Sequence, residues 1–322
     1  MRARTIFLKK IVSLIITIWA VWTLNFVLFH MLPGDPAYAL VGTRISKEQA
    51  DALKEKLGLD KPMYEQYYIS TKLVLQGELG YSWFYKKDVT EVVMERMKYT
   101  LLLVGVGTFL TILIGVNLGI VAGSRRGKPL DVAIVGSSLA FYAMPAFWLG
   151  MIMLMVFAVK LDLFPLRGFR TYTGGDETLF EAFLDGMWHL ILPVTVFILV
   201  TLSDFVLMMR NALIDVLTED YIITARAKGL TPKDIIRKHG VPNAIIPTVA
   251  TTAMFIGWVV TGAIMIEIVF SWPGIGTLSW DAIKQEDYPL LQGIFLVVTI
   301  TMLLANFVAD IIYTYIDPRV RI

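Results

Sequence analysis

Long apolar stretches alternate with short polar ones along this chain, and the apolar ones are about as long as a bilayer core requires. They run over Ile11–His30, Thr100–Gly123, Val132–Val159, Met187–Met209, Ile245–Phe270 and Pro289–Ile312. A helix rises about 1.5 Å per residue, so roughly 20 apolar residues suffice to cross. A helix also satisfies its own backbone polar groups, which is the condition for standing in lipid. The pattern predicts six spanning helices.

Two polar intervals are long enough to fold by themselves. In Pro33–Tyr99, Ser46-Lys47-Glu48-Gln49 has the form of a capping box and Gly58 a natural stop. A second helix is predicted there near Tyr64–Gln76, after Lys61-Pro62. This interval reads as a cap over the spans or as a docking surface. In Tyr221–Pro247, Ala225, Arg226, Ala227 and Lys228 favour a helix, and Gly229 suits the left-handed position past its end. Thr231 caps a second helix with Pro232 in its first turn. Ile235 and Ile236 give that helix an apolar side beside Lys233, Arg237 and Lys238. Two short helices around a glycine turn also describe a DNA-binding motif. Held between two spans, however, this one reaches only a membrane surface.

Lysine and arginine in short flanks set the expected orientation. Arg2, Arg4, Lys9 and Lys10 share a side with Arg125, Arg126 and Lys128, with the Tyr221 segment, and with Arg319 and Arg321. Both termini and that segment are therefore expected in the cytoplasm. The first span reads as retained, because it exceeds a signal-peptide core and runs into bulky Phe29, His30, Met31 and Leu32. The expected domains are a tail with the first span over 1–32, an external region over 33–98, and a five-helix core over 99–322 with its cytoplasmic loop at 210–244.

Composition agrees with the pattern. Of 322 residues 56% are hydrophobic and 17% charged, where about 25% charged is usual for soluble domains. Mean hydropathy is +0.65. A net charge of +2 is too small to suggest a nucleic-acid partner. With no cysteine there is neither a disulfide nor a thiolate metal site. His30, His189 and His239 lie far apart with no H-E-x-x-H pair, which speaks against an intramembrane zinc protease. No G-x-x-x-x-G-K-[ST] sequence is present, and Gly105-Val106-Gly107 and Gly274-Ile275-Gly276 lack its lysine. The chain is expected to carry no catalytic, metal or cofactor site.

Inside the spans, Thr111, Gly115, Gly119 and Gly123 recur every four residues and predict close helix packing, within the chain or between subunits. Pro145 is expected to kink the third span. Phe141, Tyr142, Met144 and Phe147 around it either line a pathway or simply pack. Asp204 lies within two turns of Arg210 and reads equally as structural or pathway-lining, whereas Glu267 reads as interfacial and structural. Without a chain of His or Lys they make a poor proton relay. A self-sufficient secondary transporter would show internal repeats and coupling charges, and neither stands out.

The Tyr221 segment resembles the conserved cytoplasmic EAA loop of ABC-importer permeases. Gly229 and Pro242 stand at that loop's glycine and proline positions, with Ala225 as its second alanine. Ile223 and Thr224 replace its first two letters, and His239 and Val241 replace its Ile and Leu. The peptide-importer branch is more similar, through Thr224–Leu230 (TARAKGL) and the preceding Asp220-Tyr221-Ile222. Pro33-Gly34-Asp35-Pro36, Leu57–Pro62, Phe270–Gly276 and Asp317-Pro318-Arg319 also fit that branch. Pro242 replaces a basic residue of the branch, so the second short helix is expected to end early. The resemblance implies an all-α integral membrane protein of the type I importer permease fold, multi-pass in the cell membrane. It would form half of a translocation pathway for di- or oligopeptides, or in other members oligosaccharides or nickel chelates. The implied partners are a second related permease, two cytoplasmic ATPase subunits holding ATP and Mg, and an external substrate-binding protein. Ala225, Arg226, Lys228, Gly229, Leu230, Thr231, Pro232 and Ile235 would meet the ATPase, with Gly229 setting the angle between the two helices.

Overall fold

The computed structural model describes residues 2–31, 61–171, 178–246, 248, 252 and 263–316, most of them helical. The chain divides into two compact units, Met1–Thr100 with Pro273–Leu304, and Leu101–Trp272 with Ala305–Ile322.

In the first unit, α1 (Arg2–His30), α2 (Met63–Leu75) and a small antiparallel hairpin, β1 (Tyr81–Ser82) with β2 (Lys87–Asp88), precede α3 (Val89–Ser124). The first turns of α3 pack on α10 (Ile275–Lys284) and α11 (Tyr288–Ile316) through Val89, Val93, Leu278, Leu290 and Ile294, all at most 1% exposed. A Cβ at Gly293 would overlap Val89, so glycine there permits the contact. Asp287, fully buried, accepts from the Leu290 N–H at 3.2 Å as a cap for α11. It also takes the Ser82 hydroxyl at 2.6 Å and the Phe84 N–H at 3.3 Å, which fixes the hairpin to that helix end. Burial pushes its carboxyl above the usual carboxylate range, and these three donors pull it back.

The second unit holds the rest of α3, then α4 (Pro129–Tyr142), α5 (Ala146–Met153) and the wider π-turns of Leu154–Lys160. After them come α6 (Leu179–Val216), α7 (Asp220–Ala227), α8 (Pro232–Ile235) and α9 (Ile264–Val269). A capping box opens α6, with the Glu181 N–H on Thr178 Oγ1 at 3.3 Å and the Thr178 N–H on Glu181 at 2.9 Å. The predicted small-residue stripe packs within the chain, against α6. A Cβ would come within 2.6 Å of Phe197 at Gly107, 2.6 Å of Phe205 at Gly115 and 2.7 Å of Met209 at Gly119. Between them the Thr111 and Thr201 hydroxyls share a hydrogen bond at 3.2 Å. Gly107 extends the stripe one step beyond the positions the sequence suggested.

Among the described residues, four helices are long and apolar enough to cross a membrane, or five if the bent pair α4 and Ala146–Lys160 counts as one. That pair turns by 100°, so the predicted third span is two half-helices meeting just before Pro145, a far sharper break than a kink. The cause is local: Pro145 has no N–H to continue the α4 ladder and instead begins the next helix. The helices α3 and α6, of 36 and 38 residues, run about 54–57 Å, well past the roughly 30 Å of hydrocarbon. The predicted second span began at Thr100; the helix begins at Val89, and Glu91, Glu95, Arg96 and Lys98 occupy the added turns. The helix predicted near Tyr64–Gln76 is α2. The motifs at Pro33–Pro36, Ser46–Gln49 and Asp317–Arg319 and most of the fifth predicted span lie outside the described residues.

Gly119→Leu should force α3 and α6 apart and cost about 1–3 kcal/mol of stability, as overpacking does. Gly105→Ala, whose Cβ meets nothing within 4 Å, should be neutral. Thermal aggregation of the two variants in detergent measures the difference.

Candidate functional site

The polar interval after α6 folds as two helices clasped around a small apolar centre. Ile222 and Ala225, three residues apart on one face of α7, meet Ile235 of α8, with exposures of 0%, 5% and 4%. Leu217 and Leu230 close the centre from either end. Gly229 has φ +79°, and a Cβ there would meet nothing within 4 Å. The turn's backbone therefore asks for glycine, not the space around it. Thr231 Oγ1 accepts from the Asp234 N–H at 3.2 Å and donates to the Asp234 carboxylate at 2.7 Å, with Pro232 in the first turn. The bond from the Thr231 hydroxyl, and then Lys238 at 3.2 Å, hold the Asp234 carboxyl below its usual range.

Of the residues singled out in sequence, Arg226, Lys228, Gly229, Thr231 and Pro232 face outward and Leu230 is half-buried. Ala225 and Ile235 face inward and hold the two helices together, so in this conformation they offer no surface to a partner. The outward face gains Tyr221 and Ile223, at 41% and 60% exposure, which the sequence reading did not select. Pro242 does not end the second helix. The chain stays helical from Pro232 through residue 246, by way of the π-turns of Ile236–Gly240. There the Val241 N–H reaches back five residues to the Ile236 carbonyl, a widening that lets the proline follow without a break.

The clasp is fixed to the base of α6. Leu217 belongs both to its centre and to a second cluster of Met209, Leu213 and Ala244, each fully buried, with Val241. One turn above, Arg210 grips Asp131 of α4 with two hydrogen bonds, Nε to Oδ1 at 2.6 Å and Nη2 to Oδ2 at 2.8 Å. Asp131 is 2% exposed and also takes the Gly127 N–H at 2.9 Å, which folds the basic turn after α3 back onto it. This pair was missed in sequence. The residues are 79 positions apart, and the one local signal was an acid in the first turn of a helix beginning at Pro129.

The structure gathers Phe141, Tyr142, Met144 and Phe147 at the 100° bend, with Tyr142 and Phe147 exposed by 55% and 45%. Asp204 stands half-buried on α6, and Arg210, its expected neighbour, is committed to Asp131 instead. Glu267 is 1% exposed, buried within the protein. His189, also buried, sets its Nδ1 2.8 Å from the Asp185 carbonyl. Among the described residues no group of His, Asp and Glu could hold a metal ion.

Two family models match the chain. Residues 115–322 fit the binding-protein-dependent transport system inner membrane component. Residues 4–104 fit the N-terminal part of a binding-protein-dependent transport system membrane component. The chain belongs to this family. It is an inner-membrane permease component, multi-pass, of a binding-protein-dependent ABC importer. It is 36% identical to the dipeptide transport system permease protein DppB of Escherichia coli K12, over 98% of each chain. It is 35% identical to the oligopeptide transport system permease protein AppB of Bacillus subtilis, over 92% of this chain and 93% of that one. To the glutathione transport system permease protein GsiC of E. coli it is 33% identical, over 98% of each. A chain of the MetNI methionine ABC transporter, in an inward-facing structure, shares the fold at TM-score 0.55 and 18% identity, over 70% of this chain and 96% of that one.

In a permease the Asp131–Arg210 pair sits where α6 leaves for the clasp. Removing one partner of such a buried pair leaves an uncompensated charge, at a cost of about 3–5 kcal/mol. Asp131→Ala and Arg210→Ala should each destabilise the protein strongly. The double variant should lose less than the sum, which a double-mutant cycle of detergent unfolding would read.

Proposed function

We propose that this permease forms half of the pathway of an ATP-driven peptide importer, and that the clasp of α7 and α8 is where a cytoplasmic ATPase subunit docks. The observation that carries this reading is mechanical. The clasp presents Arg226, Lys228, Thr231 and Pro232 outward, while its own centre is continuous through Leu217 with the buried base of α6. A partner pushing on that face moves α6 with it, because packed side chains pass on displacement. The clasp and both termini face the cytoplasm. A second related permease completes the pathway, two ATPase subunits bind ATP and Mg, and an external binding protein delivers the cargo. This chain needs no cofactor of its own. The relatives named for dipeptides, oligopeptides and glutathione support short peptides as cargo. Phe141, Tyr142, Met144, Phe147 and Asp204 are the candidates for lining the route.

The assembled transporter in vesicles should take up a labelled dipeptide only with ATP and binding protein present. Uptake driven by an ion gradient alone overturns the reading. Uptake of an oligosaccharide or a nickel chelate in place of peptide keeps the machinery and replaces the cargo.

Gly229 separates two ways of failing. Any side chain there bears a left-handed backbone cost of about 1–2 kcal/mol, which asparagine tolerates best. If a partner lies against the turn, Gly229→Asn and Gly229→Leu should both keep ATP hydrolysis while uptake falls, leucine the more severely. Full uptake in Gly229→Leu removes the turn from the contact.

A further inference from the structure

The helix α2 serves neither the clasp nor the pathway, yet its inward side is firmly placed. Tyr67, Thr71 and Val74, at spacings of four and three, face α1. Trp22 Nε1 donates to Thr71 Oγ1 at 2.9 Å, and the Thr23 and Tyr67 hydroxyls pair at 2.7 Å. Tyr67 also meets the Phe26 ring edge-on at 5.2 Å. Leu296 of α11 completes the cluster. These anchors lie well inside apolar spanning stretches. Trp22 is about 10 Å along the axis from Phe29, where the stretch in α1 ends, and Leu296 about 12 Å from Tyr288, where the stretch in α11 begins. So α2 stands beside the terminal turns of two spanning helices, not above them.

Its outward side is not that of a helix in water. Tyr64, Tyr68, Lys72 and Leu75 form one stripe, and Tyr64, Tyr68 and Leu75 are 71%, 72% and 83% exposed. Glu65 and Lys72 are the only charges among its 13 residues. A helix apolar on both sides needs a non-aqueous neighbour on both. Tyrosine is enriched where bilayer meets water, and lysine there lays its methylenes along apolar surface while the amine reaches the headgroups. The centre of a protein interface is, by contrast, depleted in lysine. We propose that α2 is an interfacial helix whose Tyr64, Tyr68, Lys72 and Leu75 face lies in lipid, at the boundary of acyl chains and headgroups near the His30 end of α1. The stretch from Lys61 to Leu75 then belongs to the membrane-embedded body, and water-exposed surface resumes at the hairpin.

The absence of cysteine makes the test direct. Tyr68→Cys and Leu75→Cys are labelled with a nitroxide in the assembled transporter, with cysteine-free partners, in phosphatidylethanolamine–phosphatidylglycerol vesicles. Collision rates are read with oxygen, which concentrates in lipid, and with a nickel chelate, which stays in water. Trp19→Cys on the exposed side of α1 and Lys87→Cys on the hairpin serve as lipid and water references. The oxygen-to-nickel ratio at 68 and 75 should exceed that at 87 severalfold and fall below that at 19, which lies about 15 Å from Phe29, near the bilayer centre. A ratio like that at 87 puts the face in water and overturns the proposal. Shielding from both reagents overturns it too, since a partner subunit or residues 32–60 would then cover the face. Two positions are read, so loss of one variant leaves the other decisive, and neither reading depends on the cargo.

Discussion

The close approach of α3 to α6 is the constraint on which the second unit depends. In lipid there is little hydrophobic drive between helices, since acyl chains are as apolar as leucine. What remains is packing density, and it is available here because Gly107, Gly115, Gly119 and Gly123 have no side chain to hold the backbones apart. Met209 and Leu213, which fill those grooves, are also the residues that receive Ala244 and Val241 from beyond the clasp. One face of α6 therefore sets the seam with α3, and the same residues set the seat of the polar element. A shift at either is felt at the other.

The Asp131–Arg210 pair answers a different problem. A buried pair is weak evidence of stability, because desolvation offsets much of the attraction. Its value is registry: a planar guanidinium on a carboxylate admits one geometry, which apolar packing alone does not enforce. It places α4 against α6 close to where α6 leaves for the clasp. The Gly127 N–H adds the basic turn after α3 to the same carboxylate.

The parts of this design legible in sequence are those with short-range causes. Gly229, Thr231 and Pro232 act within one turn of themselves, and the structure reproduces the predicted turn and cap. The stripe at Thr111–Gly123 is a period along one helix, so it announced a packing face without naming the partner. The Arg210–Asp131 pair joins two helices that only the fold brings together, and Asp204 is the nearer acid to Arg210 in sequence. The resemblance to the permease loop implies a partner contact for Ala225 and Ile235, whereas both are buried between the two short helices. Which face of a two-turn helix points inward is decided by Leu217 and Leu230 at its ends, not by its own period. Pro242 misled for a related reason: a proline ends an ideal helix, and the preceding π-turns had no visible signal.

A contact built from two short helices is small, and a small contact shifts a conformational equilibrium only by its differential affinity for the two states. The clasp keeps its apolar residues inward, an arrangement that would suit such a contact. Had Ile222, Ala225 and Ile235 faced the partner, the area would be larger, but the two helices would lose the centre that makes them one body. With the centre closed, the exposed residues around Gly229 would need only hold on to a partner docked as proposed, and a displacement would pass through Leu217 to Leu213 and Met209, which are packed together. The glycine turn then bears the bend without bearing the load, since open space surrounds it and no packed neighbour would have to move.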